Sequence, residues 1–153
     1  MELEENENTG TMPVLEKHVF NASALEDYMN SNVKGFQGPI EVEEFKGGQS
    51  NPTYKIVTPN RSYVLRRKPP GKLLKSAHAV DREYKVITAL NKTDVPVPKS
   101  YALCEDEDII GTAFYLMEFK DGRVLWDPAM GDSSNEEAAG VYRSMNESIV
   151  KLH

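Results

Sequence analysis

The chain has 153 residues, of which 39% are hydrophobic and 27% charged, a composition typical of one globular domain. Its 18 Lys and Arg against 24 Asp and Glu give 18 − 24 = −6, a balance that argues against general nucleic-acid binding. No apolar run approaches the roughly 20 residues of a membrane span, and the acidic N-terminus is unlike a secretory or mitochondrial leader. The single cysteine, Cys104, fits a reducing compartment. We therefore expect a soluble intracellular domain.

The first part of the chain predicts a tail followed by a short helix. Residues 1–13 are polar and rich in Glu and Asn, which indicates a disordered tail. Ser23 with Glu26 three residues later is typical of a capping box, and apolar residues at helical spacing follow until Gly35. These signals predict a helix over 23–33.

Three strand-like runs come next. Alternating and β-branched residues predict strands over 40–46, 53–58 and 61–68. The last two runs are joined by Thr58-Pro59-Asn60-Arg61, in which Pro presets the second turn position and Asn tolerates positive φ at the third. We expect these two strands to form a hairpin.

A helix and two further strands follow the hairpin. The helix is predicted over 76–92, before residues 95–98, whose prolines disfavour helix in the residues that precede them. The strands are predicted over 99–104 and 112–119. The acidic segment 105–108 between them is interpreted as a solvated turn, although its carboxylates mimic a metal motif.

The last helix is predicted to begin at Ser134, with Glu137 completing a capping box. No stop signal precedes His153, so the pattern predicts a truncated domain. The apolar stripe of this helix consists of Ala138, Tyr142, Met145, Ile149 and Leu152. Five strands and three helices in the order α-βββ-α-ββ-α predict an α+β fold, a five-stranded antiparallel sheet with helices packed on it.

A carboxylate stands at the centre of the apolar stripe of the second helix. The neighbours of Glu83 at helical spacing are apolar, so its charge either has a buried partner or reaches water at the rim of the stripe. The expected partner is Arg66, which strand alternation places on the Val64 face, while Arg67 points to the opposite face. The alternative is that Arg66 is a solvated strand residue.

The loop between the first two predicted strands is rich in glycine. It contains Gly47-Gly48-Gln49-Ser50-Asn51-Pro52, in which backbone N–H groups and Ser and Asn side chains could approach an anion. Most such clusters are ordinary hairpin loops. Gly71-Lys72 does not form a Walker loop, because Leu73 follows and no Gly stands five residues earlier. Only in combination with the cation and the helix Glu does this loop indicate a phosphate site.

Six segments carry a family likeness. They are residues 48–53, 63–71, 81–86, 95–98, 110–112 and 114–119. In these segments the chain resembles the aminoglycoside phosphotransferase/choline kinase-like family, and within it the kinase-like domains joined to acyl-CoA dehydrogenases. The likeness begins near residue 14. It implies a protein-kinase-like small lobe over 14–120 with a C-type helix, then over 121–153 the hinge and first helix that lead to a missing large lobe.

The resemblance also implies the phosphate end of a nucleotide site. Ser50, Asn51 and Thr53 would line the loop over the ATP phosphates. Arg66 would occupy the position of the phosphate-pairing Lys of protein kinases, with Glu83 as its helix partner. An Arg in that position departs from the protein-kinase pattern, but its charge would still serve an α- or β-phosphate.

The adenine end is implied in the same way. Met117 would lie at the back of the adenine pocket, while the Glu118 carbonyl and the Lys120 amide would hydrogen-bond the adenine edge. The complete domain would use ATP with Mg²⁺ to phosphorylate a hydroxyl of a small molecule, of which a hydroxyacyl-CoA is one option. FAD would belong only to the dehydrogenase part. A peroxisomal or mitochondrial location is implied, although the chain shows no signal for either.

The catalytic groups of the family are not found in the chain. The family supplies them from a His-x-Asp-x-x-x-x-Asn segment and a later Asp, and none of His18, His78 and His153 is followed by that pattern. No catalytic or metal-binding residue is therefore assigned, and we do not expect the chain alone to catalyse. The alternative function is a non-catalytic truncated isoform, or a module that binds a nucleotide or a partner.

Overall fold

The computed structural model describes residues 9–47, 51–69 and 79–153. Within these residues it has one antiparallel sheet of six strands and three α-helices, which confirms the predicted α+β class. The strands are β1 (Thr11–Met12), β2 (Glu41–Phe45), β3 (Thr53–Val57), β4 (Ser62–Arg67), β5 (Ser100–Cys104) and β6 (Phe114–Glu118). The helices are α1 (Ala22–Asn32), α2 (Val80–Leu90) and α3 (Asn135–Leu152), and a 3-10 turn spans Glu16–His18. The strand order is β1-β2-β3-β4-β6-β5.

The sheet has one strand more than predicted. The additional strand is β1, in which Thr11 pairs with Phe45 and Met12 with Glu44. Both residues belong to the segment 1–13 that was predicted as a disordered tail, so that prediction is wrong for them. A strand of two residues has no measurable alternation, and its partner lies more than thirty residues away along the chain.

The predicted cap of α1 is also wrong. The residue that caps this helix is Asn21, whose side-chain oxygen accepts a hydrogen bond from the Ala24 amide at 3.1 Å. Glu26, the expected second half of a capping box with Ser23, instead accepts from the Ile40 amide at 3.3 Å. The carboxylate thereby ties α1 to the chain entering β2, a tertiary contact that competes with the local motif.

One face of the sheet carries the main hydrophobic core, and we call it the α1 face. Leu25 and Met29 of α1 are fully buried there against side chains of the central strands. The sheet contributes Tyr54, Ile56, Tyr63, Leu65, Phe114 and Leu116, all fully buried. The core therefore follows the two-residue alternation of β3, β4 and β6.

The opposite face, which we call the cleft face, is covered only in part. Here α2 packs on β5 and β6 around a small cluster of Val80, Ala113 and Tyr115. The Thr88 hydroxyl donates to the Ser100 hydroxyl at 2.8 Å and fixes the helix to β5. The described part of α2 is shorter than predicted, and predicted positions 76–78 lie outside the described residues.

The last helix confirms its predicted start. Ser134 caps α3, and its hydroxyl accepts from the Glu137 amide at 3.1 Å. Side chains of the predicted stripe are about half exposed, namely Tyr142, Met145, Ile149 and Leu152. Near its end, Lys151 Nζ lies 3.7 Å from Asp94 Oδ2. Within the described ranges, no helix combines the length and apolar character that crossing a membrane requires.

Candidate functional site

The cleft face opens into a cavity of about 910 Å³ between α2 and the sheet. Charged and polar side chains line it together with apolar side chains, and most of them come from α2, β4 and β6. They are Asn51, Arg66, Ala79, Arg82, Glu83, Val86, Ile87, Pro98, Tyr115 and Met117. Four of these, Asn51, Arg66, Glu83 and Met117, are site residues predicted from the sequence.

Strand alternation in β4 separates two neighbouring arginines. Arg66 points into the cleft, whereas Arg67 points to the α1 face and is only 3% exposed. Arg67 donates to the His18 carbonyl at 2.7 Å and to the Ile110 carbonyl at 3.3 Å, and its guanidinium lies 5.3 Å from the centre of the Tyr54 ring. Arg67 thus has a structural role. Of the two arginines, Arg66 is the one whose guanidinium faces the cleft.

Glu83 holds Arg66 in place. The Arg66 Nε atom lies 3.1 Å from Glu83 Oε2, in an ion pair whose Nε–H direction is not aligned for a hydrogen bond. The Arg66 Nη2 group donates to Oε1 at 3.5 Å. The predicted pairing is therefore present. The side chains are 37% exposed for Glu83 and 32% for Arg66, so the pair lies at the rim of the apolar stripe and not inside it.

Two further side chains orient the Glu83 carboxylate. The Tyr115 hydroxyl donates to Oε2 at 2.9 Å, and the Asn51 amide donates to Oε1 at 3.4 Å. Burial of Tyr115 raises the pKa of its hydroxyl, and the charge of Glu83 raises it further, with Arg66 opposing. The phenol therefore stays a neutral donor throughout the physiological range.

Sequence reasoning missed Tyr115. The pairing of β4 with β6 could have indicated it, because that pairing places Tyr115 directly beside Arg66. The hydroxyl must also reach a helix that is 32 residues away in sequence, and no local pattern contains that information.

The glycine-rich loop is only partly described. Ser50 lies outside the described residues. Asn51 is 7% exposed and lines the cleft. Thr53 pairs with Arg66 across the β3–β4 ladder, but its hydroxyl turns to the Asn51 carbonyl at 3.0 Å and does not line the cleft. The structure therefore brings Asn51, Arg66 and Glu83 together, while Thr53, which lies directly opposite Arg66 in the ladder, does not line the cleft.

The other predicted residues follow β6 to its end. Met117 forms part of the cleft wall, while Glu118 and Lys120 lie outside the cleft lining. Their side chains form an ion pair, with Lys120 Nζ 2.8 Å from Glu118 Oε1. The hydrogen bond from Lys120 is the main reason why the pKa of the Glu118 carboxyl lies below its usual range.

The cleft is suited to an amphiphilic anion. Arg66 and Arg82 supply two positive charges against the single negative charge of Glu83, and guanidinium groups match phosphate and carboxylate oxygens. Met117 and Ile87 supply an apolar wall for a flat, uncharged group. Within the described ranges, no three His, Cys, Asp or Glu side chains are grouped as a metal site.

A small antiparallel sheet whose cation is held by a helix carboxylate is the arrangement of the small lobe of kinase-like phosphotransferases. Residues 41–153 match the model of the family described as "Phosphotransferase enzyme family". The chain belongs to this family.

Its relatives include much longer proteins. The chain is 42% identical over 147 residues to acyl-CoA dehydrogenase family member 11 of Rattus norvegicus, covering 94% of this chain and 19% of that protein. It is 42% identical over 144 residues to acyl-CoA dehydrogenase family member 10 of Mus musculus, covering 94% of this chain and 14% of that protein. The chain thus spans about a fifth or less of the length of these relatives.

A solved structure has the same fold. It is the crystal structure of a Ralstonia eutropha protein assigned as an aminoglycoside phosphotransferase, with a TM-score of 0.76 and 51% identity. The match covers 88% of this chain and 38% of that protein. The kinase-like fold expected from the sequence is therefore confirmed.

Proposed function

We propose that the cleft binds the phosphates of ATP. The observation that supports this proposal is the orientation of Arg66 by Glu83, which Tyr115 and Asn51 hold in turn. A preoriented guanidinium gives a charged ligand strong hydrogen bonds at a small cost in side-chain entropy. In the proposed complex Arg66 contacts an α- or β-phosphate, and Ser50, Asn51 and Thr53 form the loop above the phosphates.

The base would extend toward the end of β6. Met117 forms the back of its pocket, and the Glu118 carbonyl and the Lys120 amide hydrogen-bond the adenine edge. The support is the position of Met117 in the cleft wall, beside the chain that leaves the sheet at Glu118. An apolar wall next to backbone polar groups is typical of sites for planar heterocycles.

The reaction that we propose is phosphoryl transfer to a hydroxyl group of a small molecule. Such a reaction needs a base for the hydroxyl and oxygen ligands for Mg²⁺, and the longer relatives would supply both from the large lobe. Because these relatives are named acyl-CoA dehydrogenases, a hydroxyacyl-CoA is the proposed acceptor, and FAD would serve the dehydrogenase part. The corresponding compartment would be a peroxisome or mitochondrion.

Titration of the chain with MgATP tests the proposed site. We expect Arg66→Ala to weaken ATP binding roughly tenfold or more, because hydrogen bonds to charged groups contribute about 1.5–3 kcal/mol each. Glu83→Leu should weaken binding less, since it releases Arg66 without removing it. Arg61→Ala is the matched control, because Arg61 is exposed at the β3–β4 turn. Equal ATP affinity in wild type and Arg66→Ala would refute the site.

A role in binding a partner is the second candidate, and the exposed stripe of α3 supports it. Met145 and Ile149 are each 52% exposed on this stripe. The chain covers 38% of the solved relative, and we propose that in the longer proteins the stripe packs on the large lobe of the same domain. Without that cover, we expect the chain to self-associate.

Sedimentation velocity over a concentration series tests the stripe. Met145→Lys with Ile149→Lys should remove concentration-dependent association, because charges oppose burial of the stripe. Asn146→Lys with Glu147→Gln adds the same net charge on neighbouring exposed positions and should leave association unchanged. A monomeric wild-type chain at all concentrations would contradict the proposal.

A further inference from the structure

A second cation shares the cleft face with Arg66. Lys55 of β3 pairs with Val64 of β4, which in turn pairs with Met117 of β6. Directly opposed residues of an antiparallel ladder project from the same face. Lys55 therefore lies in the row of the sheet that contains the proposed base pocket, one row along from Arg66.

The Lys55 ammonium lies over an aromatic ring. Its Nζ atom is 4.5 Å from the centre of the Phe119 ring, and in the described part of the chain it forms no ion pair. Phe45, the last residue of β2, stacks on the same Phe119 ring with centroids 6.3 Å apart and an angle of 21° between the planes. Side chains from β2, from β3 and from the chain just after β6 thus meet around one aromatic ring.

This cluster lies where β6 ends. Phe119 stands between Glu118 and Lys120, the two residues whose backbone groups are proposed to meet the adenine edge. All three side chains of the cluster are partly exposed, so a ligand can reach them without opening the core. Glu43 of β2 is the cross-strand neighbour of Lys55, but within the described residues no carboxylate oxygen lies within ion-pair distance of its ammonium. A lysine held among aromatic side chains has the setting in which cations bind π-systems.

We propose that Phe45, Lys55 and Phe119 form a base-recognition cluster, in which the Lys55 ammonium lies over the face of the purine and Phe45 stacks beside it. The inference rests on the proposed ATP site and adds the residues that recognise the base. A purine presents the same kind of negative π-face that Phe119 presents to Lys55 in the free chain. Phe119 is the positioning residue, because its ring holds the Lys55 ammonium near the end of β6.

The base and the phosphates can be tested separately. We would titrate the chain with MgATP and, in parallel, with magnesium tripolyphosphate, which has the phosphates but no base, and follow amide shifts by NMR. Lys55→Met keeps the length of the side chain and removes its charge. We expect it to weaken ATP binding roughly threefold to thirtyfold and to leave tripolyphosphate binding within about twofold. Phe45→Leu should give the same selective loss.

A lysine on the other face provides the control. Lys99 Nζ lies 5.4 Å from the centre of the Tyr101 ring, which packs against the core of the α1 face. Lys99→Met loses the same type of contact and should bind both ligands as wild type does.

Each remaining outcome has a distinct meaning. If Lys55→Met weakens ATP and tripolyphosphate equally, Lys55 is a phosphate ligand and the base-recognition cluster is refuted. If it weakens neither, the cluster is refuted while the ATP site stands. If Arg66→Ala changes neither ligand's affinity, the proposed function itself fails, and the inference fails with it.

Discussion

The two faces of the sheet differ in how far they bury residues of the same type. On the α1 face, Arg67 is 3% exposed, and its Nη1 and Nη2 groups donate to main-chain carbonyls. On the cleft face, Arg66, its neighbour in β4, is 32% exposed and is held by Glu83 through its Nε and Nη2 groups. The difference shows that a charged residue in a strand indicates function only when its polar partners leave part of it accessible.

Apolar residues differ between the faces in the same way. Leu65 is fully buried on the α1 face, whereas Val86 of α2 is 59% exposed at the cleft. Side chains on the α1 face thus contribute to stability, and side chains on the cleft face are available to a ligand. Substitutions on each face, and a change of pH, test whether the two faces differ in this way.

The largest effect should come from truncating the core of the α1 face. We expect Leu65→Ala to lower the free energy of unfolding by about 2–5 kcal/mol, because it removes a fully buried side chain and leaves a cavity. Val86→Ala should change it by about 0.5 kcal/mol or less, since Val86 is mostly exposed. Urea denaturation measures both. Similar losses would mean that the two faces do not differ in packing.

Substitutions of the two neighbouring arginines should differ in their effect on the free energy of unfolding. Arg67→Met removes charged hydrogen bonds to the His18 and Ile110 carbonyls, and we expect a loss of about 2 kcal/mol in unfolding free energy. Arg66→Met breaks a partly exposed ion pair and should cost about 1 kcal/mol at most. The same denaturation experiment checks this order. If Arg66→Met is the more destabilising change, then Arg66 has a structural role that the exposed pair does not suggest.

Strongly alkaline pH should lower the free energy of unfolding through two tyrosines that pack on the α1 face. Burial raises the pKa of both Tyr28 and Tyr54 to about 12, so the fold favours their neutral forms. Because an unfolded Tyr titrates near pH 10, this stability is complete below that pH. It is lost as the pH rises from about 10 toward 12.

Thermal melts between pH 8 and pH 11.5 test the alkaline effect. Tyr54→Phe should lower stability by about 1 kcal/mol at pH 8, because the hydrogen bond from its hydroxyl to the His18 carbonyl is lost. The same substitution should make the decline above pH 10 shallower, since one titrating group is gone. An unchanged alkaline slope would show that Tyr54 does not titrate with unfolding.

Local signals predicted well wherever a motif and its partner are close in sequence. Ser134, which caps α3, accepts a hydrogen bond from the amide of Glu137, only three residues later. The turn of the β3–β4 hairpin is closed by the Thr58 amide donating to the Arg61 carbonyl at 3.0 Å. The predicted capping box of α1 was wrong because the helix is capped by Asn21 and because the Glu26 carboxylate accepts a hydrogen bond from the Ile40 amide.

The candidate site was predictable to the extent that it depends on periodicity. Helical spacing placed Glu83 toward the sheet, and strand alternation separated Arg66 from Arg67. The contact of the Tyr115 hydroxyl with Glu83 and the contact of Lys55 with Phe119 both require strands that are distant in sequence to pair. The periodicity of a single strand carries no information on that pairing.

Local patterns in the amino-acid sequence are enough to predict the α+β class, the order of the main elements and the faces on which charges project, and six matching segments carry the likeness to a phosphotransferase family. The class, the order of the elements and the faces of the charges arise from backbone sterics and from short-range spacing of apolar residues, which act within one element. The burial of Arg67, the position of Glu83 at the rim and the contact of Lys55 with the Phe119 ring became known only from the folded structure. Such outcomes depend on which distant groups desolvate or pair with each charge, and that is settled only when the strands pack together.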